Sequence, residues 1–266
     1  MLLNLKQRAR NLAYRRNYYL SRIFRRSVPP AILHYLPEGF IVHTVADTGL
    51  RVVDNFCTRE EADYLIENSR KQLSNSKVII EGRAVDDRGR TSSHAVAFHR
   101  YHQDSRVLPI IARGAMLAGV PVDHAEQVYV SRYNDGEFYH GHFDFADNFL
   151  TDHRLCTMLV YLNDLEAEQG GATYFKDLNI AVQPKAGRAV IWTNMNPDGT
   201  THMETVHAAL PPRGAGAEKW VIQLWFRPYR MHRIHSVLPS LQTRTGKPLT
   251  GKEILPEGIW LHSETR

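Results

Sequence analysis

The 266-residue sequence contains only two cysteines, Cys57 and Cys156. Two cysteines cannot form the disulfide framework of a small secreted protein, which favours a reducing compartment. No stretch reaches the roughly 18 consecutive apolar residues that a membrane-spanning helix needs. Arginines interrupt every apolar run near the N-terminus that could serve as the core of a secretory signal. These absences predict a cytoplasmic protein.

Acidic side chains are absent from residues 1–26, which hold eight lysines and arginines. The remaining residues carry 25 basic and 28 acidic side chains, a net charge of −3, so the formal charge of +5 originates in this first segment. Apolar residues recur there at helical spacing, namely Leu2, Leu5, Ala9, Leu12, Tyr19 and Ile23. We interpret residues 1–30 as a basic amphipathic segment.

Four roles for residues 1–30 stay open. The helix could pack on the body of the protein, lie on an anionic membrane surface as a peripheral anchor, or serve as a basic arm that binds a partner. An arginine-rich start without acids also suits a mitochondrial transit peptide. Nucleic acid is a poorer partner, because no RRM, KH or helix-turn-helix pattern accompanies the basic residues.

The body of the chain predicts a mostly β fold with flanking helices. Helices are expected from Thr58 to about residue 73, with Thr58 and Glu61 as a capping box, and over residues 107–119. Short β-type runs separated by glycine and proline follow: 127–133, 138–143, 155–163, 172–175, 189–192, 205–208 and 219–225. This pattern favours a two-sheet jelly roll, or double-stranded β-helix. We divide the chain into 1–30, a domain over 50–227, and an extension over 228–266.

A candidate metal site lies within the β-rich part. His142 and Asp144 are two residues apart on a predicted strand, which places both side chains on one face. An imidazole and a carboxylate are two of the three ligands of a 2-His-1-carboxylate site, which holds non-heme Fe(II). Although a His-x-Asp triplet is common by chance, His207 follows 65 residues later, after enough strands to circle a jelly roll. Lys219 would be costly on the inner face of the last strand unless it met an anion.

Several ordered motifs join these residues. They are Val53-Asp54-Asn55-Phe56-Cys57, Arg90-Thr91-Ser92-Ser93, Glu126 to Tyr133, Gly136-x-x-Tyr139-x-x-His142-x-Asp144, Arg154-x-x-Thr157-x-Leu159-x-Tyr161-Leu162-Asn163, Gly170-Gly171-x-Thr173-x-Phe175 and Pro184-x-x-Gly187-x-Ala189. From about Val52 to Arg227, the chain resembles the prolyl 4-hydroxylase-like branch of the Fe(II)/2-oxoglutarate-dependent dioxygenases.

This resemblance implies roles for nine residues. The expected iron ligands are His142, Asp144 and His207. The expected contacts to 2-oxoglutarate are Lys219, Tyr133 and Tyr161, with Lys219 pairing with the distal carboxylate. The expected lining of the substrate pocket is Tyr139, Arg154 and Trp225.

The resemblance further implies a hydroxylase that uses Fe(II), 2-oxoglutarate and O2, with ascorbate as the reductant. The substrate would be of the prolyl or amino-acid type, peptidyl or free, or another small molecule with an unactivated C–H bond. Asp144 favours hydroxylation, because related halogenases carry a small residue in its place. The alternative is a catalytically silent jelly-roll binding module recruited to membranes by the basic N-terminus, against which the intact ligand set argues. The short loop from Asp144 to Arg154 and the extension 228–266 leave the substrate open.

Overall fold

The structure, a computed structural model, describes residues 40–45, 50–80, 83–95, 104–144, 154–195 and 202–227. The predicted basic segment 1–30 and the extension 228–266 lie outside these ranges. The membrane-surface and mitochondrial hypotheses and the division into three parts therefore stay predictions. Within the described ranges, no helix has both the length and the apolarity needed to cross a lipid bilayer.

Two α-helices and fourteen β-strands lie in the described ranges. The helices are α1 (Arg59–Arg70) and α2 (Leu108–Leu117). The strands are β1 (Ile41–Val45), β2 (Leu50–Asp54), β3 (Ser74–Asn75), β4 (Val78–Ile80), β5 (Arg83–Val85), β6 (Ser93–Ala95), β7 (Tyr129–Asn134), β8 (Tyr139–His142), β9 (Cys156–Tyr161), β10 (Thr173–Phe175), β11 (Ile180–Val182), β12 (Ala189–Thr193), β13 (His207–Ala209) and β14 (Glu218–Phe226). Three short 3₁₀ turns connect them, at Val122–His124, Ala167–Gln169 and Met203–Thr205.

The strands form two main antiparallel sheets. The larger has eight strands in the order β1-β2-β12-β9-β14-β7-β6-β3, and the smaller has four in the order β11-β10-β13-β8. Phe175 and Val182 of the smaller sheet pack against Leu159, Trp192 and Val221 of the larger one, so the two sheets face each other. This arrangement confirms the mostly β fold with a jelly-roll core.

Strand β14 shows how the larger sheet separates a core from a cavity. Side chains alternate between the two faces of a strand. The even-numbered residues Trp220, Ile222, Leu224 and Phe226 join the apolar core that the helices complete. The odd-numbered residues point the other way, and Lys219, Val221, Gln223 and Trp225 line a cavity between the sheets. Because both faces are covered, β14 and β9 are buried along almost their whole length.

Helix α1 begins as the sequence predicts. The Glu61 backbone N–H donates to Thr58 Oγ1 at 3.1 Å, and the Thr58 N–H donates to Glu61 Oε2 at 3.0 Å, which completes the capping box. Arg113 of α2 donates to the same carboxylate, with Nη2 2.6 Å from Glu61 Oε2. Since Arg113 is buried, this ion pair fixes the two helices against each other on the outer face of the larger sheet.

The strand prediction differs from the structure in two respects. Strands β1, β3, β6 and β11 were not predicted. The strand expected to begin at Thr205 begins at His207 instead. The Thr205 hydroxyl donates to the His202 carbonyl at 2.7 Å, which stabilises a 3₁₀ turn in place of the start of the strand.

Gly187 offers a test of the turn between β11 and β12, which packs against the segment between β2 and α1. Its φ is +79°, and an added Cβ would lie 2.4 Å from the Cys57 carbonyl oxygen. We expect Gly187→Ala to lower the free energy of unfolding by about 3 kcal/mol or more, because backbone strain and a backbone clash add. Urea denaturation measures this change.

Gly136 is the matched control for that substitution. Its φ is +77°, yet nothing lies within 4 Å of an added Cβ. Gly136→Ala should therefore cost only about 1 kcal/mol, the strain contribution alone. Equal losses in the two variants would contradict the clash at Cys57.

Candidate metal centre

Two strands of the smaller sheet bring the three predicted ligands together. His142 ends β8, Asp144 follows it, and His207 begins β13 directly opposite His142 in the antiparallel register. Nε2 of His142 lies 3.7 Å from Asp144 Oδ1, and Nε2 of His207 lies 3.8 Å from Asp144 Oδ2. The three ligand atoms lie within 4.8 Å of one another. His142 and His207, which 64 residues separate in the sequence, thus lie in one cluster.

Backbone carbonyls orient both imidazoles. Nδ1 of His142 lies 2.8 Å from the His140 carbonyl oxygen, and Nδ1 of His207 lies 2.9 Å from the Thr205 carbonyl oxygen. A carbonyl only accepts, so each Nδ1 carries the proton and each Nε2 presents its lone pair to the cluster. Burial, together with the neighbouring His207, lowers the pKa of His142 to about 3. Neutral imidazole is the form that binds a metal.

Asp144 is held as a carboxylate. Burial opposes ionisation, but interactions with His207, His142 and Arg154 outweigh it and lower the pKa of Asp144 to about 2. Thr157 Oγ1 donates to Oδ2 at 2.8 Å and Trp225 Nε1 donates to the same oxygen at 3.1 Å. Two imidazoles and one carboxylate within this distance form the donor set of a 2-His-1-carboxylate site, so the residues fit Fe(II).

Aromatic rings enclose the two histidines. The Tyr139 ring stacks on His142 with centroids 3.6 Å apart, and the Trp192 ring meets His207 at 4.6 Å. Rings packed in this way fix the imidazole planes and limit the access of water to the cluster.

A cavity of about 840 Å³ adjoins the cluster. Eight of the nine predicted site residues line it: Tyr133, Tyr139, His142, Asp144, Arg154, His207, Lys219 and Trp225. Tyr161 is not among the lining residues. This volume lies in the range of pockets that bind small-molecule ligands.

Lys219 is the buried cation of this cavity. Its side chain is 1% exposed, and in the described part of the chain Nζ has no hydrogen-bond partner. Nζ lies 5.2 Å from the centre of the Tyr133 ring and 5.8 Å from that of Tyr161. Burial lowers the pKa of Lys219 to about 7. An amine buried without a carboxylate provides a place for an anionic ligand.

Tyr161 lies beneath Lys219. Its hydroxyl hydrogen-bonds Thr173 Oγ1 at 2.7 Å and the Val182 carbonyl at 2.9 Å, so its polar group is already satisfied. Burial raises the pKa of Tyr161. Its neighbour Thr173, which belongs to a sequence motif but was assigned no role, does line the cavity.

The wall around Trp225 is built from charges and rings. Arg154 donates to Glu126 through Nε at 2.8 Å and Nη2 at 3.1 Å, and its guanidinium lies 3.7 Å from the centre of the Trp225 ring. Arg90 lies 4.6 Å from the centre of the Tyr139 ring. The fork between Arg154 and Glu126 holds the guanidinium flat against the indole.

Sequence reasoning assigned no role to four residues of the site, namely Arg90, Glu126, Thr157 and Thr173. For Thr157 a signal was present. It alternates with Leu159 and Tyr161 on β9 and therefore belongs to the inner face. Glu126 precedes β7, and its distance from Arg154 in the sequence hides the ion pair.

Known proteins resemble this chain in sequence. The sequence model described as the 2OG-Fe(II) oxygenase superfamily matches residues 128–227. The Arabidopsis thaliana protein named "Probable prolyl 4-hydroxylase 3" is 31% identical over 220 residues, covering 73% of this chain and 70% of its own length. "Probable prolyl 4-hydroxylase 10" of the same plant is 31% identical over 201 residues, covering 66% of this chain and 68% of its own length.

A solved structure shares the fold. The viral collagen prolyl hydroxylase of Paramecium bursaria Chlorella virus-1, in a 2OG complex, superposes with a TM-score of 0.51. It is 23% identical, and the match covers 71% of this chain and all of that one.

Proposed function

Because this chain belongs to the 2OG-Fe(II) oxygenases, in their prolyl 4-hydroxylase-like branch, and is a 2-oxoglutarate-dependent hydroxylase, we propose that its substrate is a prolyl residue. The observation that carries the proposal is the placing of Tyr139, Arg154 and Trp225 around the His-Asp-His cluster in one cavity. The names of the Arabidopsis relatives, which are those of prolyl 4-hydroxylases, support the same substrate class.

We assign iron binding to His142, Asp144 and His207. When bound, Fe(II) and 2-oxoglutarate supply the oxidation of an unactivated C–H bond by O2. The carbonyl bonds to Nδ1 fix the orientation of both imidazoles, with Nε2 facing the Asp144 carboxylate. Lys219 is assigned to the distal carboxylate of 2-oxoglutarate, with Tyr133 beside it, because its Nζ is buried in the cavity without a carboxylate partner in the described part.

We assign substrate contact to the aromatic rings of Tyr139 and Trp225, which we call the substrate wall, and not to the charge of Arg154. Glu126 engages the guanidinium of Arg154, and the parts of the Tyr139 and Trp225 rings that line the cavity supply apolar area near the metal cluster. A pyrrolidine ring is compact and apolar and carries no N–H when it is peptide-bonded. Such a ring can pack on aromatic surfaces without leaving a polar group unpaired.

A substrate screen tests the proposal. The full chain is incubated with proline-rich peptides, free proline and peptides without proline, in the presence of Fe(II), 2-oxoglutarate and ascorbate. We expect a mass gain of about 16 Da only on peptides that contain proline, dependent on 2-oxoglutarate. If the peptides without proline are oxidised, or if no peptide is oxidised, the proposed prolyl substrate is wrong. Ascorbate as reductant rests on the family resemblance alone, and a reaction series without it tests that assignment.

Tyr139 separates substrate binding from cosubstrate binding. We expect Tyr139→Ala to raise the KM for a prolyl peptide about tenfold, because apolar contact area is lost at the substrate wall. The KM for 2-oxoglutarate should change little, since Lys219 is the assigned anchor of that ligand. Tyr139→Phe keeps the ring on His142 and serves as the control, with a peptide KM near that of the wild type. Equal rises in both KM values would contradict the assignment.

A further inference from the structure

A chain of hydrogen bonds leads from β12 to the Asp144 carboxylate. Asn194 Nδ2 donates to Thr157 Oγ1 at 2.9 Å, and Thr157 Oγ1 donates to Asp144 Oδ2 at 2.8 Å. All three side chains are buried, with exposed fractions of 1% for Asn194 and Thr157 and 8% for Asp144. No solvent competes for these groups, so the chain stays intact while the protein is folded.

The chemistry of the groups sets the direction of this chain. An ionised carboxylate only accepts, so the single hydroxyl proton of Thr157 goes to Asp144. The oxygen of Thr157 then accepts, and the amide of Asn194 must present its NH2 group to it. Asn194 Oδ1 is left without a partner in the described part of the chain. The protein thus accepts an unpaired amide oxygen to keep the donor aimed at Thr157.

The consequence falls on the two oxygens of Asp144. Oδ2 receives donors from Thr157 and from Trp225 Nε1, while Oδ1 receives neither of these two hydrogen bonds. Oδ1 lies 3.7 Å from His142 Nε2 and 3.8 Å from Nη1 of Arg154, a distance too long for a hydrogen bond. A carboxylate fixed at one oxygen cannot rotate about its Cβ–Cγ bond without breaking both bonds. Oδ1 is therefore the oxygen held ready for a metal.

We propose that Thr157, oriented by Asn194, is a positioning residue that locks the Asp144 carboxylate with Oδ1 directed to the metal. This proposal rests on the assignment of the His-Asp-His cluster to iron. Shape alone does not require a hydroxyl at this position, because valine has nearly the same volume and β9 is otherwise rich in apolar residues. The hydroxyl of Thr157 orients the Asp144 carboxylate, which apolar packing alone cannot do.

Co(II) binding to the purified full chain tests the proposal without turnover. Thr157→Val removes the hydroxyl and keeps the shape, and Thr157→Ser restores the hydroxyl. We expect Thr157→Val to weaken Co(II) binding by about tenfold or more and to shift the visible absorption of the bound ion, because the carboxylate can then rotate. Thr157→Ser should bind Co(II) within about twofold of the wild type, with the wild-type spectrum.

Thr193→Val is the matched control, since it removes another buried hydroxyl, one that contacts His202 and not Asp144. It should leave affinity and spectrum unchanged. If Thr157→Val does not fold, Asn194→Ala carries the test, with an expected loss of affinity of about threefold. If Thr157→Val, or Asn194→Ala used in its place, shows the Co(II) affinity and spectrum of the wild type, the proposal is overturned. The metal site itself still stands in that case, because the wild type binds Co(II). A wild type that binds no Co(II) overturns the metal site and this proposal together.

Discussion

Asp144→Ala should abolish the release of succinate from 2-oxoglutarate. In the proposed site, Asp144 supplies the one negative charge among three ligands, and a divalent ion held by two neutral imidazoles alone binds weakly. His142→Ala should have the same outcome. Succinate is measured with Fe(II), 2-oxoglutarate and ascorbate present, and undiminished release in either variant would refute the assignment of the ligands.

Loss of the fold has to be separated from loss of the metal in this experiment. Removing the Asp144 carboxylate leaves the donors of Thr157 and Trp225 unpaired, which costs about 1–3 kcal/mol for each buried group. Asp144→Asn keeps the shape and an acceptor oxygen for these donors, so it should fold well and remain inactive. Asp177→Ala removes an exposed acid from the turn between β10 and β11 and should retain full turnover.

The jelly roll and the ligand cluster could be predicted because they depend on alternation. Lys219 and Trp225 share a strand face by their even spacing, and the structure places both in the cavity. The pairing of His207 with His142 required only that enough strands lie between them for a sheet to return. An alternating sequence pattern predicts which side chains share a face, because each strand buries one of its faces.

Other parts could not be predicted, since they depend on the relative placement of elements distant in sequence. The ion pair of Glu126 with Arg154 joins residues on either side of β7 and β8, and nothing in the local pattern signals it. The hydrogen bonds of the Tyr161 hydroxyl to Thr173 and to the Val182 carbonyl likewise join separate strands. The expected contact of Tyr161 with the cosubstrate stays a prediction. Strand β11 has only three residues, too few for an alternating pattern to be recognised.

Lys219→Met should remove the binding of 2-oxoglutarate and at the same time stabilise the ligand-free protein. The wild-type amine is buried without a carboxylate partner in the described part, and methionine fills similar space without a charge. Burial lowers the pKa of Lys219 to about 7 from 10.5. Each pKa unit corresponds to about 1.4 kcal/mol, so the gain in stability at pH 6 is up to about 5 kcal/mol.

The pH dependence follows from the same lowered pKa. Between about pH 7 and pH 10.5 the unfolded chain holds a proton on this lysine that the folded chain has released. The ligand-free wild type should therefore gain stability as the pH rises through this window, and Lys219→Met should lose that gain. Thermal unfolding of both proteins across the window measures the effect, and Lys176→Met, at an exposed lysine, should behave as the wild type.

The affinity for 2-oxoglutarate should change in the opposite direction. Binding of a carboxylate needs the ammonium form, so at pH 8 the protein has to take up a proton as the ligand binds. Calorimetric titration in two buffers of different ionisation enthalpy measures this proton directly, and the dissociation constant should rise as the pH increases above about 7. A dissociation constant that does not change between pH 6 and pH 8.5, without proton uptake, would contradict Lys219 as the anchor. If the dissociation constant rises with pH as expected, Lys219 explains both the stability and the affinity results. The charge that opposes folding in the empty cavity is the charge that the dianionic cosubstrate neutralises.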